Sequence, residues 1–371
     1  MNILQILPAL NAGGVERTTL EIVEALIEAG HKAHIISAGG GMVSAIKALG
    51  GIHYTYNIGS KNILTVPHRI RFLSCYIRDH EIDIVHARSR APAWPAFYAA
   101  KSQKRPFVTS YQGHYKASHP LKRYYNAVMT RGEIVIANSE FTRSHIIAEH
   151  KIDPKKIITI PRGVDINIFD PKRFSSLEIS QIRADWNINP NQKLLLLPGR
   201  FSRWKGHHTA LKALAELPDD YALICMGDMQ GHSAYLTEIK QLAKALNVTQ
   251  RLSLYPHVNN VALAMLAADV VLSCSTQPEA FGRIAIEAQA MGRPIIATAH
   301  GGALETIIDK QTGFLVPPED PKSLAKAILK VSRWKGYKPQ LARDRIVTHF
   351  SKAALQRANL DIYYRLANLK A

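Results

Sequence analysis

Short apolar runs alternate with helical patterns along most of this 371-residue chain, and the alternation breaks once and then restarts. Residues 3–10 read as a strand, and 15–29 as a helix with Leu20, Val23 and Ile27 on one face. Further strands are expected at 33–37, 82–87, 107–111, 134–137 and 157–160, with helices such as 92–101 and 121–130 between them. A polar stretch over 170–192, containing Pro171 and Pro190, interrupts the rhythm. It resumes with strands expected at 194–198, 222–226, 252–255, 270–273, 295–298 and 314–316. Strands that recur with a helix between them pair in parallel, and the crossover helices cover both faces of the sheet. The sequence therefore predicts an α/β chain of two doubly wound domains, over 1–167 and 193–349, joined by a linker at 168–192. The last pattern, 352–369, is helical and has no strand of its own to serve. Ligands of such sheets bind at the carboxyl ends of the strands, so the chemistry is sought in the loops that follow them.

The overall charge narrows the partners. Lysine and arginine total 47 against 29 aspartates and glutamates, a net charge of +18. That excess points to nucleic acid, an acidic membrane face or a phosphorylated substrate. Cys75, Cys225 and Cys274 are widely spaced and odd in number, which argues against a disulfide framework and fits a reducing cytoplasm. Cys225 and Cys274 lie in apolar runs and read as core. The first six residues run into a strand without a basic segment and long apolar stretch, so no signal peptide is expected. No run approaches the ~20 apolar residues of a spanning helix. Membrane contact is expected to be peripheral, on a cytoplasmic protein.

Three loops carry the chemistry. Gly13 and Gly14 follow the first strand and open the first helix, where paired glycines let a ligand approach the backbone and a helix start favours anions. This is not a dinucleotide fingerprint, and no acidic residue ends the second strand. The second loop, after the first strand of the second half, holds Arg200, Arg203 and Lys205 between Gly199 and Gly206; a planar fork and a point charge together suit a diphosphate. A plain turn and a solvated basic loop would carry the same residues. The strongest pattern is Pro278-Glu279-Ala280-Phe281-Gly282-Arg283-Ile284-Ala285-Ile286-Glu287. Here Glu279 precedes a helix and Glu287 lies within it, a separation read as about two turns. Gly282 marks the helix start, whose free N–H groups can hold a phosphate. Gly301-Gly302 with Glu305, then Thr312-Gly313-Phe314-Leu315-Val316, complete the series.

Taken in order, these motifs resemble the retaining glycosyltransferases of the GT-B fold, group 1 or family 4, and among them bacterial cell-envelope (lipopolysaccharide) enzymes. The resemblance spans nearly the whole chain. It implies two Rossmann-like domains facing a central cleft, with the closing segment 350–371 crossing back to the N-terminal domain. It places a nucleoside diphosphate sugar on the C-terminal domain. Arg200 and Lys205 would bind the diphosphate, Glu279 the transferred sugar and Glu287 the ribose hydroxyls. Backbone around Gly282, Arg283 and Ile284 would add phosphate contacts, Phe281 would belong to the donor site, and Gly13 and Gly14 would approach the phosphates from the other side. Two departures stand out. Relatives carry Thr-x-His-Gly, with its histidine near the reacting sugar, where this chain has Thr109-Ser110-Tyr111-Gln112-Gly113-His114. Gln112 takes the histidine position, and His114 follows two residues later as the alternative. Relatives also carry Asn-Gly-Val-Asp where this chain has Arg162-Gly163-Val164-Asp165.

The implied reaction is glycosyl transfer with retention, from the donor to an acceptor hydroxyl, with the leaving diphosphate helping to deprotonate the acceptor. Glu279, Lys205, Arg200 and Gln112 or His114 are the candidate catalytic residues. The histidines are scattered, so no metal and no cofactor are expected. Basic and aromatic residues mingle in the N-terminal half, at His68-Arg69-Ile70-Arg71-Phe72, at Arg88 and Arg90, and at Tyr115 to Tyr125. That mixture suits a glycan or glycolipid acceptor at an anionic membrane. A GT-B sugar-nucleotide epimerase is the nearest rival enzyme. A basic nucleic-acid-binding protein would explain the charge but not the glutamate pair, and no nucleic-acid module is present, so no nucleic-acid partner is expected.

Overall fold

The computed structural model describes residues 1–11, 13–113, 115, 119–228, 233–255 and 260–368. The chain forms two compact units, Met1–Gly163 with Lys352–Ala371, and Val164–Ser351.

The first unit is a seven-stranded parallel sheet. Its strands are β1 (Asn2–Ile6), β2 (Lys32–Ser37), β3 (Ile52–Thr55), β4 (Ile84–Ala87), β5 (Phe107–Tyr111), β6 (Ile134–Ala137) and β7 (Ile157–Thr159), in the order β3-β2-β1-β4-β5-β6-β7. Strand β1 is apolar towards both faces, as a central parallel strand must be: Leu4 and Ile6 join one core and Ile3 the other. Helix Gly14–Glu28 covers one face together with helix Lys352–Asn368. The returning helix is fastened by Tyr363, whose hydroxyl meets His86 Nδ1 at 2.7 Å, and by Lys352, 3.0 Å from Glu24.

The second unit is a six-stranded parallel sheet of β8 (Lys193–Pro198), β9 (Tyr221–Met226), β10 (Leu252–Tyr255), β11 (Val270–Ser273), β12 (Ile295–Thr298) and β13 (Gly313–Val316). Its order is β10-β9-β8-β11-β12-β13. In each sheet the winding reverses beside the first strand, between β1 and β4 and between β8 and β11. Loops leaving the carboxyl ends of these strands gather there.

Four expectations need correction. The first strand ends at Ile6, not residue 10. Leu7 and Leu10 are buried all the same, in a turn around Pro8, which has no N–H to continue a ladder. Strand β3 carried no apolar run because it is an edge strand with Ile52 and Tyr54 exposed. Residues 127–130 continue helix Pro120–Asn126 as a 3-10 turn. Segment 168–192, expected as a linker, packs into the second unit. Phe169, Trp186 and Ile188 enter its core, and helix Ser176–Asp185 starts on a Ser175/Glu178 capping box. Its proline and polar content reflects a surface helix between two anchors. Cys225 and Cys274 are buried free thiols, as read.

Several histidines are buried. Burial holds the imidazoles of His34 and His207 down to about 4, and His86, fully enclosed, lies well below its ordinary value. All three stay neutral in the folded chain. In the unfolded chain they take up protons once the pH falls below about 6.5. A depressed imidazole pKa means the unfolded state binds more protons, so stability is lost as pH drops from about 6.5 towards 4. The melting temperature should fall between pH 7 and pH 5, before most carboxylates titrate; a flat profile across that window would contradict the burial of neutral imidazoles.

Candidate active site

At the carboxyl edge of the second sheet, three loops nest with backbone against backbone. The loop after β8 runs through a 3-10 turn, Arg203–Lys205, to Gly206, which has φ +76° and caps helix His207–Ala215. A Cβ on Gly206 would overlap the carbonyl of Cys274, just beyond β11. Only glycine meets both demands. Thr276 N–H donates to the Trp204 carbonyl at 2.8 Å, sealing the first loop to the second. The third loop follows β12. Cβ atoms on Gly301 and Gly302 would run into the backbone of Glu279 and Phe281, and Gly302 N–H donates to the Glu279 carbonyl at 2.9 Å. This second glycine pair thus serves close loop packing.

The nesting fixes the functional side chains. Lys205 Nζ lies 2.7 Å from Glu279 Oε1, and Ser275 Oγ donates to the same oxygen. Both partners are largely buried, at 11% and 18% side-chain exposure, so this is a partly desolvated ion pair. Ser275 is anchored through its carbonyl by Thr298 Oγ1 at 2.8 Å. Lys205 also sits 4.3 Å from the centre of the Trp204 ring. Arg200 is exposed at the loop's start. Arg203 turns away from Lys205 to pair with Glu238 and is not part of this cluster.

Gly282, at φ +81°, caps helix Arg283–Ala290. Nothing lies within 4 Å of where its Cβ would be, so backbone conformation rather than crowding accounts for glycine there. Glu287 stands one turn into this helix; Glu279 lies before it, so the eight-residue separation is not two helical turns. Arg283 Nε is 3.3 Å from Glu287 Oε1, with both side chains mostly covered. Arginine opposes the dipole at a helix start, and the glutamate compensates for it. Phe281 is buried core, while Ile284 is partly buried against the same core. A small concavity is lined by Ser275, Glu279, Gly282, Thr298 and His300. The two ring nitrogens of His300 are buried without a hydrogen-bond partner among the described residues. Ser275, Thr298 and His300 were not singled out from sequence, since no spacing rule marks them.

On the first unit, Gly13 caps helix Gly14–Glu28, and Gly14 is its first residue. Arg162, after β7, bridges them to the loop after β5. Its Nη1 donates to the Gly14 carbonyl and to Thr18 Oγ1 at 3.0 Å, and its Nη2 to Gln112 Oε1 at 2.7 Å. The two sequence departures, Gln112 and Arg162, are therefore in contact. With its carbonyl oxygen held by the guanidinium, Gln112 has its amide orientation set. His114 lies outside the described residues.

Residues 12–168 match the family described as Glycosyltransferase Family 4, and residues 178–343 match Glycosyl transferases group 1. A solved glycosyltransferase of Rickettsia africae is 34% identical, with a TM-score of 0.92 over 98% of both chains. The chain belongs to the group 1 glycosyltransferases. Its fold is the GT-B fold, which the chain shares with Anabaena HepE, solved with UDP-glucose. HepE is 23% identical, with a TM-score of 0.84 over 98% of this chain and 100% of its own. The D-inositol 3-phosphate glycosyltransferase of Xylanimonas cellulosilytica is 26% identical over 268 residues. That match takes in 66% of this chain and 62% of the relative, so it spans less than two thirds of the relative's length. Family membership favours neither the epimerase nor the nucleic-acid reading.

Arg162→Ala leaves the Gly14 carbonyl, Thr18 and Gln112 without their common donor, which should cost on the order of 3 kcal/mol from two or more hydrogen bonds to a charged group. Arg162→Lys should recover only part, because an ammonium cannot span both sides as the guanidinium fork does. Chemical denaturation measures both variants; equal stability of Arg162→Ala and the parent chain would rule the bridge out.

Proposed function

We propose that this chain transfers a glycosyl group, with retention, from a nucleoside diphosphate sugar to a hydroxyl of a glycan or glycolipid acceptor. The observation that carries the reading is the Lys205–Glu279–Ser275 cluster set beside the start of helix Arg283–Ala290. The UDP-glucose held by HepE supports the donor class. Lys205 and Arg200 take the diphosphate, helped by the backbone around Gly282, Arg283 and Ile284. Glu279 takes the sugar hydroxyls and Glu287 the ribose. Gly13 and Gly14 serve the donor phosphates from the first unit, and Gln112 or His114 serves the transferred sugar.

The ion pair acts as a placeholder in this scheme. A lone buried charge is costly, so Lys205 and Glu279 satisfy each other until the donor arrives. The diphosphate then replaces Glu279 as the partner of Lys205, and Glu279 is freed for sugar hydroxyls. As the bond from the anomeric carbon to the phosphate oxygen breaks, charge grows on the leaving diphosphate. Lys205, Arg200 and the helix start stabilise it by preorganised electrostatics. The leaving phosphate oxygen accepts the proton of the attacking acceptor hydroxyl on the same face, which gives retention.

The acceptor falls to the first unit, with its basic and aromatic residues. We assign it to cell-envelope glycan assembly, such as lipopolysaccharide core, at the cytoplasmic face of a membrane. No helix among the described residues is long and apolar enough to cross one.

The test separates ground-state from transition-state binding. Glu287→Ala removes hydrogen bonds made alike in both states, so the donor KM should rise with little change in kcat. The rise should be roughly 10- to 150-fold, from about 1.5–3 kcal/mol for a hydrogen bond to a charged group. Lys205→Ala should lower kcat on the order of 100-fold or more, and Glu279→Ala should lower kcat as well. Steady-state kinetics with UDP- and GDP-sugars, with product anomers read by NMR, decides. Parental kcat and KM in both Lys205→Ala and Glu287→Ala would sink the donor-site assignment, and an inverted product would sink retention.

A further inference from the structure

A groove of about 660 Å³ opens on the first unit, among the segments that follow β3, β4 and β5. Its walls come from the turn before helix Val66–Asp79, from helix Arg90–Ser102 and from helix Pro120–Asn126. Val66, Ala91, Trp94, Tyr98, Tyr124 and Tyr125 make its lining apolar and aromatic. Three aliphatic side chains stand out from this region almost bare: Ile63 at 80% exposure, Leu64 at 87% and Leu121 at 74%. Single exposed leucines are ordinary, but a cluster bordering an apolar groove is not.

The projecting turn is built rather than loose. Arg69 is 3% exposed, and its guanidinium donates to three carbonyls of the turn: Ile58 at 2.9 Å, Asn62 at 3.0 Å and Thr65 at 3.4 Å. A buried cation is thus committed to holding Ile63 and Leu64 outward.

Charge selects the occupant. Between Glu28 and Glu133 the only acidic residues are Asp79, Glu81 and Asp83. They lie at and beyond the far end of helix Val66–Asp79, about 20 Å from its start by the helical rise. Lys61 lines the groove itself and Lys122 follows Leu121 in sequence, while Arg123 is taken up by Glu149 at 2.9 Å. A nucleic-acid strand could stack on Tyr98, Tyr124 and Tyr125, which are exposed, but would leave the bare aliphatics Ile63, Leu64 and Leu121 uncovered. Trp94 already carries Arg131 at 4.8 Å from its ring centre and packs against Tyr124 and Tyr98. Bare aliphatics with basic residues close by instead match a hydrocarbon chain below a phosphate headgroup.

We propose that this groove seats an acyl chain of an anionic membrane lipid, with Ile63, Leu64 and Leu121 entering the hydrocarbon and Lys61 and Lys122 meeting the headgroup phosphates. It gives the membrane reading above a defined site. It rests on that reading only for its role in the reaction, since lipid binding is measured without turnover.

The test uses the full chain and vesicles of phosphatidylcholine, with and without phosphatidylglycerol. Flotation should recover the protein with phosphatidylglycerol vesicles at low salt, and less as salt rises. The Ile63→Ser/Leu64→Ser double variant and Leu121→Ser should each weaken binding on the order of tenfold or more, from lost apolar burial. Their melting should be unchanged, because these side chains are exposed. Phosphatidylglycerol with brominated acyl chains should quench tryptophan emission in the parent chain, and Trp94→Phe should abolish most of that quenching. Undiminished binding by both apolar variants, or no quenching through Trp94, would mean electrostatic adsorption alone and overturn the groove. Failure to float with either vesicle would also overturn it and leave a protein partner as the occupant. Donor turnover assayed without vesicles fails independently, and its loss would strike the transferase reading while leaving this one standing.

Discussion

The second unit depends on loops that touch backbone to backbone at the carboxyl edge of its sheet. Gly206 lies against the Cys274 carbonyl, and Gly301 and Gly302 lie under the backbone of Glu279 and Phe281. Such contacts leave no volume for a Cβ, so the loops have one arrangement rather than several. Lys205 and Glu279 meet because their loops are pinned a few residues away on either side. A methyl group at any of these glycines would displace the loops before it touched a functional side chain.

That rigidity bears on the electrostatics. A lysine and a glutamate, each mostly removed from water, are tolerable only while paired. Ser275 adds a hydrogen bond to the carboxylate, and Thr298 holds Ser275 from behind. The cluster is a charge arrangement set by the fold, and in the proposed function the donor exchanges into it without first ordering the loops, as electrostatic catalysis requires. The first unit uses a different device. Arg162 links the start of helix Gly14–Glu28 to Gln112, so strand-end loops far apart in sequence answer to one guanidinium.

Much of the fold was legible because central parallel strands are buried on both faces and read as unbroken apolar runs; β5, β6, β11 and β12 fall where those runs lie. What failed had a physical reason in each case. Edge strand β3 had no buried face to mark it. Leu7 and Leu10 were buried for packing, not for strand pairing. Segment 168–192 looked like a linker because its anchors, Phe169, Trp186 and Ile188, are few and isolated among polar residues. In the site, the glycine-bracketed loops and the two glutamates stood out through spacing. Arg203 looked like a third phosphate cation, and only the position of Glu238 reveals its other partner. Thr298 ends β12 and His300 follows it, and their place in the site was hidden until β12 was set beside β11.

The sequence by itself determined the alternation that makes two parallel sheets, the glycines that loops of this kind require, and the ordered motifs that identify the family. These are local properties, set by side-chain periodicity and by backbone conformations open to glycine alone. Tertiary structure decided who partners whom: Lys205 with Glu279, Arg283 with Glu287, and Arg162 with Gln112. All but the one-turn Arg283–Glu287 pair join residues on different loops. Such pairings depend on distances that exist only after strands distant in sequence have been hydrogen-bonded side by side, and no pattern along the chain encodes them.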